Sequence, residues 1–214
     1  PEFAEAYYQL GSVHIKKLRN SKRAGKYLEI AEHLFQEQKE LQRAKLMRQL
    51  SNSKDTLLDK NKVAKDWLKE GLRLQRYGLC QAAVDAYKVA ISFRRDYLDA
   101  YYNMGIAYGS LEEAGVDVLD NALGALKQSV RLNADFIHGH IALGAAYIRK
   151  QDYESALDAL ERAISINSKD PNAHYYMGVA CRATKKFEKA AASLHNSVLL
   201  KPDSLQMQYF LGLV

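Results

Sequence analysis

The segment that decides the fold is IHGHIALGAAYIRKQDYESALDALERAISINSKD, residues 137–170. It contains one of five glycines that recur along the chain at intervals of 34, 39, 34 and 34 residues, namely Gly71, Gly105, Gly144, Gly178 and Gly212. A nearly fixed period of this length indicates that one structural unit is repeated. The next unit begins at Pro171, a residue that can start a helix but disrupts a helix interior.

Small and large residues return at fixed positions within each unit. When Ile137 is position 1, a glycine occupies position 8, alanines occupy positions 20 and 27, and a large residue occupies position 24. The same classes recur in the units that begin at Ala64 and Pro171, as Gly71, Ala83, Tyr87 and Ala90 in the one and Gly178, Ala190, Leu194 and Ser197 in the other.

These residues resemble the tetratricopeptide-repeat family, in which each unit is a pair of antiparallel helices. The resemblance covers most of the chain and implies an all-α, right-handed superhelical solenoid of about five repeats and a half repeat. In such a packing the small residues at positions 8, 20 and 27 let neighbouring helices approach, and the large residues fill the space between them.

The period predicts the boundaries of the units. We expect repeats at 4–38, 64–97, 98–136, 137–170 and 171–204, and the first helix of a sixth repeat at 205–214. The repeat at 98–136 is five residues longer than 34, and we place the insertion at about 111–116. Residues 1–3, Pro-Glu-Phe, are predicted to be a cloning scar. Because the last unit stops after one helix, we expect the sequence to be a piece of a longer protein.

Residues 39–63 interrupt the period and form an irregular joint. Two structures remain open for it: a long helix, a turn and a second long helix, or a degenerate extra repeat. Between residues 15 and 69 the sequence has 15 Lys and Arg against 7 Asp and Glu, a balance of +8. This positive charge could bind an acidic protein or an anionic membrane surface. The alternative is that it belongs to a helix face exposed to solvent and has no binding role. Only Tyr27 and Phe35 could stack on bases in residues 20–59, which argues against nucleic acid.

The sequence shows no chemistry typical of an enzyme, a metal site or a cofactor site. There is no glycine-rich phosphate loop, nucleophile elbow or H-E-x-x-H motif, so we predict a non-enzymatic protein without a cofactor. His138 and His140 are two residues apart and would point to different faces of a helix. Cys80 and Cys181 belong to no C-x-x-C motif, and Cys181 takes a position that is buried in sister units. Two free thiols fit the reducing cytoplasm, where we expect the protein to be located.

The resemblance also implies a binding surface. In this family the first helix of each pair lines a concave groove, and positions 2, 5, 9, 12 and 13 face it. The partner-binding residues expected from this rule and from the peptide clamp described next are Tyr8, Lys16, Arg76, Tyr102, Asn103, His138, Arg149, Tyr175 and Arg182. Tyrosines with arginines suit a peptide or helix that carries apolar side chains and some acidic groups. The competing interpretation is that the tyrosines are core residues and the arginines complement helix C-termini.

Some members of the family hold the C-terminal carboxylate of a chaperone tail with a set of lysine, asparagine and arginine side chains. Here only Asn103 matches that set. Leu68 and Leu72 replace its first two members, and His138 and Ala142 replace its last two. The resemblance therefore does not extend to this clamp.

Three functions remain open from the sequence. The first is a scaffold that binds a partner protein in the groove and self-associates through the ends of the solenoid. The second is a substrate-recognition segment of a larger enzyme or of a secretion or assembly machine. The third is an anchor on an acidic or membrane surface through the basic joint.

Overall fold

The computed structural model describes residues 60–111 and 116–214. All of them belong to one of the two compact units into which the chain divides, Asp59–Val214. The predicted first repeat, most of the basic joint and residues 112–115 of the expected insertion lie outside the described residues.

The two described ranges contain nine helices and no strands. In chain order these are α1 (Lys60–Arg76), α2 (Cys80–Phe93), α3 (Leu98–Gly109), α4 (Val116–Leu132), α5 (Ile137–Arg149), α6 (Tyr153–Ile166), α7 (Pro171–Ala183), α8 (Phe187–Leu200) and α9 (Leu205–Leu211).

The helices form consecutive pairs that stack on one another. The most extensive contacts are within the pairs α1–α2, α3–α4, α5–α6 and α7–α8, and the second helix of each pair also contacts the first helix of the next. In addition, each of α1, α3 and α5 contacts the first helix of the following pair. The first helices therefore form a continuous layer, and the prediction of an all-α solenoid is confirmed.

A glycine of the first helix packs directly against a large residue of the second helix in every pair. A Cβ atom built on Gly144 would lie 2.5 Å from Cγ of Leu160, and one built on Gly178 would lie equally close, at 2.5 Å, to Cγ of Leu194. These distances are far below van der Waals contact, so only glycine fits without rearrangement. We call the four contacts the packing pairs: Gly71–Tyr87, Gly105–Leu126, Gly144–Leu160 and Gly178–Leu194.

The core lies between successive pairs as well as within them. One cluster of buried side chains joins Leu157 and Leu160 of α6, Met177 and Cys181 of α7, and Ala190 of α8. Cys181 is fully buried, as its position in the unit predicts, and burial raises the pKa of its thiol. Because each cluster draws on neighbouring repeats, stability is approximately a sum of contacts between neighbours.

The turns inside three pairs share one backbone conformation. Gly78 has φ +78°, and Gln151 and Lys185 take the same left-handed conformation with φ 63° and 59°. In each turn the following N–H donates to a carbonyl five residues earlier, for example Lys186 to Cys181 at 2.8 Å. This hydrogen bond is characteristic of the Schellman motif that ends a helix. Residue type favours the conformation only at Gly78, because glycine adopts a positive φ readily.

Two histidines connect helices to the loops that precede them. The ring Nε2–H of His140 donates to the carbonyl of Ala134 at 2.9 Å, and that of His174 donates to the carbonyl of Ser168 at 2.8 Å. A carbonyl oxygen only accepts hydrogen bonds, so Nε2 carries the proton in both rings. These half-buried histidines occupy the same position in successive repeats and hold equivalent loops between them.

The last two helices, α8 and α9, leave apolar side chains exposed. Leu205 and Tyr209 of α9 are 80% and 64% exposed, and Leu199 of α8 is 65% exposed. The expected self-association through a solenoid end stays a prediction. Within the described ranges, no helix combines the length and the apolar character needed to span a bilayer.

The packing pairs predict opposite effects of alanine at two glycines. Gly144→Ala should lower the free energy of unfolding by about 1–2 kcal/mol, because overpacking against the fully buried Leu160 exceeds the gain in helix propensity. The matched control is Gly124→Ala: Gly124 is exposed, and a Cβ there would have no neighbour within 4 Å. It should raise stability by about 0.5–1 kcal/mol. Urea unfolding followed by circular dichroism measures both, and equal shifts would contradict the packing.

The left-handed turn residues predict a stabilising change. Lys185→Gly should raise the melting temperature, because glycine adopts φ 59° without the cost of about 1 kcal/mol that a side chain incurs. Lys185→Ala removes the same charge but keeps the conformational cost, so this control should give no gain. If both variants raise the melting temperature equally, the stabilisation comes from removing the charge of Lys185 and not from the backbone conformation.

Burial of Tyr87 predicts a loss of stability at alkaline pH. Burial raises the pKa of Tyr87 above its ordinary value of 10.0, with a smaller contribution from Cys80. Above about pH 10 the unfolded chain ionises this phenol before the folded chain does, so stability falls as pH rises. The fall should be shallower in Tyr87→Phe, which removes the buried phenol hydroxyl. Melting curves between about pH 9 and 11 measure it, and identical pH dependence of the two proteins would refute the assignment.

Candidate functional site

A cavity of about 400 Å³ opens on the layer of first helices. Its walls come from α3, α5 and α7, and its floor includes Leu119, Ala122 and Leu126 of α4. The wall residues are mostly apolar or small, with polar groups among them: Tyr102, Gly105, Ile106, Gly109, Ser110, His138, Ile141, Ala142, Ala145, Ala146, Arg149, Asn172 and Tyr176. We call this cavity the groove.

Small side chains on facing helices create the depth of the groove. Ala142, Ala145 and Ala146 are on α5, and Gly105 and Gly109 are on α3. Gly105 also belongs to a packing pair. Because it has no side chain, α3 can pack closely against Leu126 of α4, and the cavity beside this contact stays open. The groove is therefore a consequence of the repeat packing rather than an added structure.

Tyr102 is the aromatic side chain of the α3 wall. Its ring packs edge-on against Phe136, with ring centroids 5.1 Å apart, and Phe136 contacts the ring of His138 in the same way at 6.0 Å. This row of rings holds Tyr102 in place. Burial, and to a smaller extent Tyr176, raises the pKa of Tyr102, so its hydroxyl stays neutral and can donate or accept a hydrogen bond.

Arg149 is the only charged residue of the groove lining. It lies in the last turn of α5, and its Nη1 donates to the carbonyl of Gly109 at the end of α3. A cation at this place complements the negative end of the α3 dipole. The adjacent cation, Lys150, instead pairs with the carboxylate of Asp120. Among the described residues, no carboxylate pairs with Arg149.

The structure brings three of the sequence-predicted residues together in the groove. Tyr102, His138 and Arg149 all line the same cavity. Arg76 ends α1 and is not part of the lining. Tyr8 and Lys16 lie outside the described residues.

Asn103 makes a hydrogen bond to its own helix. Its Nδ2 donates to the carbonyl of Asp99 at 2.7 Å. The one residue that matches the chaperone-tail clamp therefore has one of its two amide N–H groups engaged by the backbone.

Tyr175 and Arg182 are engaged by α9. Tyr175 is 6% exposed, and its hydroxyl accepts a hydrogen bond from Nε2 of Gln206 at 2.9 Å. The guanidinium of Arg182 stacks over the ring of Phe210 at 5.3 Å. Against expectation, Tyr175 is thus a buried contact between α7 and α9 and not an open groove residue.

Tyr176 lines the groove although the positional rule selects its neighbour. The two tyrosines are adjacent, so residue type alone could not decide between them. In the preceding repeat Ile141 takes the position of Tyr175; it is 8% exposed and still lines the groove, so the position alone does not decide which side chain reaches the groove.

Comparisons with known proteins agree with the repeat architecture. A family model described as TPR repeat matches residues 146–181, from the end of α5 into α7. Among curated protein sequences there is no significant match.

Several solved structures share the fold. The structure "MamA 41-end from Desulfovibrio magneticus RS-1" has a TM-score of 0.63 at 22% identity, over 74% of this chain and 85% of that chain. TTC0263, a thermophilic TPR protein in Thermus thermophilus, has a TM-score of 0.60 at 18% identity, over 98% of this chain and 97% of that chain.

A third similar structure contains a ligand. The first TPR of Spaghetti (RPAP3), bound to HSP90 peptide SRMEEVD, has a TM-score of 0.54 at 18% identity, over 58% of this chain and 95% of that chain. At these identities the likeness concerns the fold. Together with the glycine period and the stacked pairs, it shows that the described part of this chain has the fold of a tetratricopeptide-repeat array, and the family model matches residues 146–181 within it.

Proposed function

We propose that the chain is a non-enzymatic scaffold that binds a segment of a partner protein in the groove of α3, α5 and α7. The observation that carries the proposal is the cavity of about 400 Å³ on the layer of first helices. Its size and its mixture of apolar walls with a few polar groups are typical of ligand sites. The side chains that line it come from three successive repeats, so a bound segment would contact several repeats at once.

A peptide-bound structure of similar fold supports peptide binding by an array of this kind. The RPAP3 repeat shares the fold and is bound to a peptide. The mode of binding proposed here differs from the clamp for chaperone tails. Leu68 and Leu72 are aliphatic where that clamp is polar, and the amide of Asn103 is bonded to Asp99.

The anchoring role through the basic joint depends on residues 39–63, most of which lie outside the described residues. The groove is therefore the surface for which the described residues supply contacts and geometry, and it is the site we propose.

Filling the groove tests the proposal. A phage library of short random peptides is selected on the full chain, and recovered peptides are synthesised with a fluorescent label. We expect Ala145→Leu to weaken their binding by about tenfold or more, because the larger side chain occupies the space of an apolar anchor. Fluorescence anisotropy gives the dissociation constants.

The matched control is Ala191→Leu, the same substitution on α8, a second helix outside the groove. It should change affinity by less than about twofold, and melting curves verify that both variants fold. Peptides that bind Ala145→Leu as tightly as the unmodified chain would refute groove binding, and so would a selection that enriches no peptide.

A further inference from the structure

The groove lining carries positive charge and no negative charge. None of its sixteen residues is Asp or Glu, and its one charged residue is Arg149. A ligand that places a cation there would meet no carboxylate and would lie beside the guanidinium. Electrostatic complementarity therefore favours a ligand with an acidic group at this end of the groove.

Among the described residues, three carboxylates on or beside the helices that form the groove are engaged by other groups. Asp120 pairs with Lys150, and Asp135 pairs with Arg162 at 2.8 Å. Asp170 accepts from the N–H groups of Asn172 and Ala173 at 2.9 and 3.0 Å. None of these three groups is directed at Arg149 in the described structure, so they do not compete for its charge.

Arg149 has the donors that a carboxylate needs. A guanidinium carries five N–H groups, and the described contact to Gly109 uses one nitrogen, Nη1. Arg149 is exposed and lines the groove, so N–H groups beyond this contact remain available to a ligand. A carboxylate can accept two parallel hydrogen bonds from such a group, and charge-assisted bonds of this kind are about twice as strong as neutral ones.

The apolar part of the groove lies one helical turn from Arg149. Ala145 is four residues earlier on α5, which places it on the same face and about 6 Å away along the helix axis. The apolar surfaces of Ile106, Tyr102 and Tyr176 line the same cavity as Ala145. An extended peptide advances about 3.3 Å per residue, so an anchor at Ala145 and an acidic group at Arg149 would be about two residues apart.

From this arrangement we infer that the groove recognises a protein segment in which a bulky apolar side chain lies within about three residues of an Asp or Glu. The apolar side chain fills the space over Ala145, and the carboxylate binds the Arg149 guanidinium. Arg149 thereby determines specificity. This inference rests on the proposed function and names the chemistry of its ligand.

The test uses the groove-dependent peptides recovered from the random library. Their sequences should share an Asp or Glu close to a Phe, Leu, Trp or Met. Replacing either the acidic residue by Lys or the apolar residue by Ala should weaken binding to the full chain by about tenfold or more.

A charge exchange on the protein makes the test specific. Arg149→Glu should weaken the acidic peptides by about tenfold or more and should restore binding of the versions that carry Lys. The control, Arg131→Glu, makes the same substitution at an exposed arginine in the last turn of α4, outside the groove lining. It should change affinity by less than about twofold. A structural defect in the Arg149 variant would not produce the restored binding.

Two results would overturn the inference. One is a set of groove-dependent peptides without an acidic residue near the apolar one, and the other is an equal effect of Arg149→Glu and Arg131→Glu. If these results occur while Ala145→Leu still abolishes binding, the groove remains the site and only the ligand chemistry is wrong. If Ala145→Leu has no effect, both the site and its ligand chemistry are refuted.

Discussion

The contact of a glycine with a large side chain is the constraint on which the array depends. In all four packing pairs a single added methyl group would lie 2.3 to 2.6 Å from the nearest atom of the facing side chain. Such an approach lets the two helices of a pair pack closely and bury Leu160, Leu194 and Tyr87 completely. Because the pair recurs at the period of the sequence, each repeat presents the same faces to the next, and the stack continues.

The groove follows from the same packing. When the helix pairs stack in this way, α3, α5 and α7 lie side by side, and their exposed residues form one surface. Small residues on that surface, such as Ala145, leave a cavity, while Tyr102 and Tyr176 supply rigid aromatic walls. Arg149 adds the charge. A few side chains therefore determine which ligand groups the groove can bind, whereas the glycines determine the geometry of the helices that carry those side chains.

Much of the fold could be predicted from the sequence, because positions where two helices are in close contact accept few residue types. The period of the glycines located the helix pairs, and Gly78 takes the positive φ that glycine adopts readily. Gln151 and Lys185 take the same conformation without being glycine. The hydrogen bonds of the Schellman turns and the packed helices around them outweigh the local preference of these two residues.

The site was less predictable because it depends on which neighbour covers which side chain. The positional rule selected Tyr102, His138 and Arg149, and all three line the groove. It also selected Tyr175, which α9 covers, and it passed over the adjacent Tyr176. A rule based on position describes one helix face, whereas exposure at the edge of that face depends on the next helix in the stack. Residue type could not supply that information.

The most direct test of the account is a double-mutant cycle between Gly144 and Leu160. If Leu160 is what excludes a methyl group at position 144, Gly144→Ala should be destabilising in the unmodified chain and neutral or stabilising in a Leu160→Ala background, where the facing side chain is gone. The account predicts a coupling energy of at least about 1 kcal/mol from urea unfolding. Additive effects of the two substitutions, within about 0.5 kcal/mol, would contradict the claim that this contact holds the repeat together.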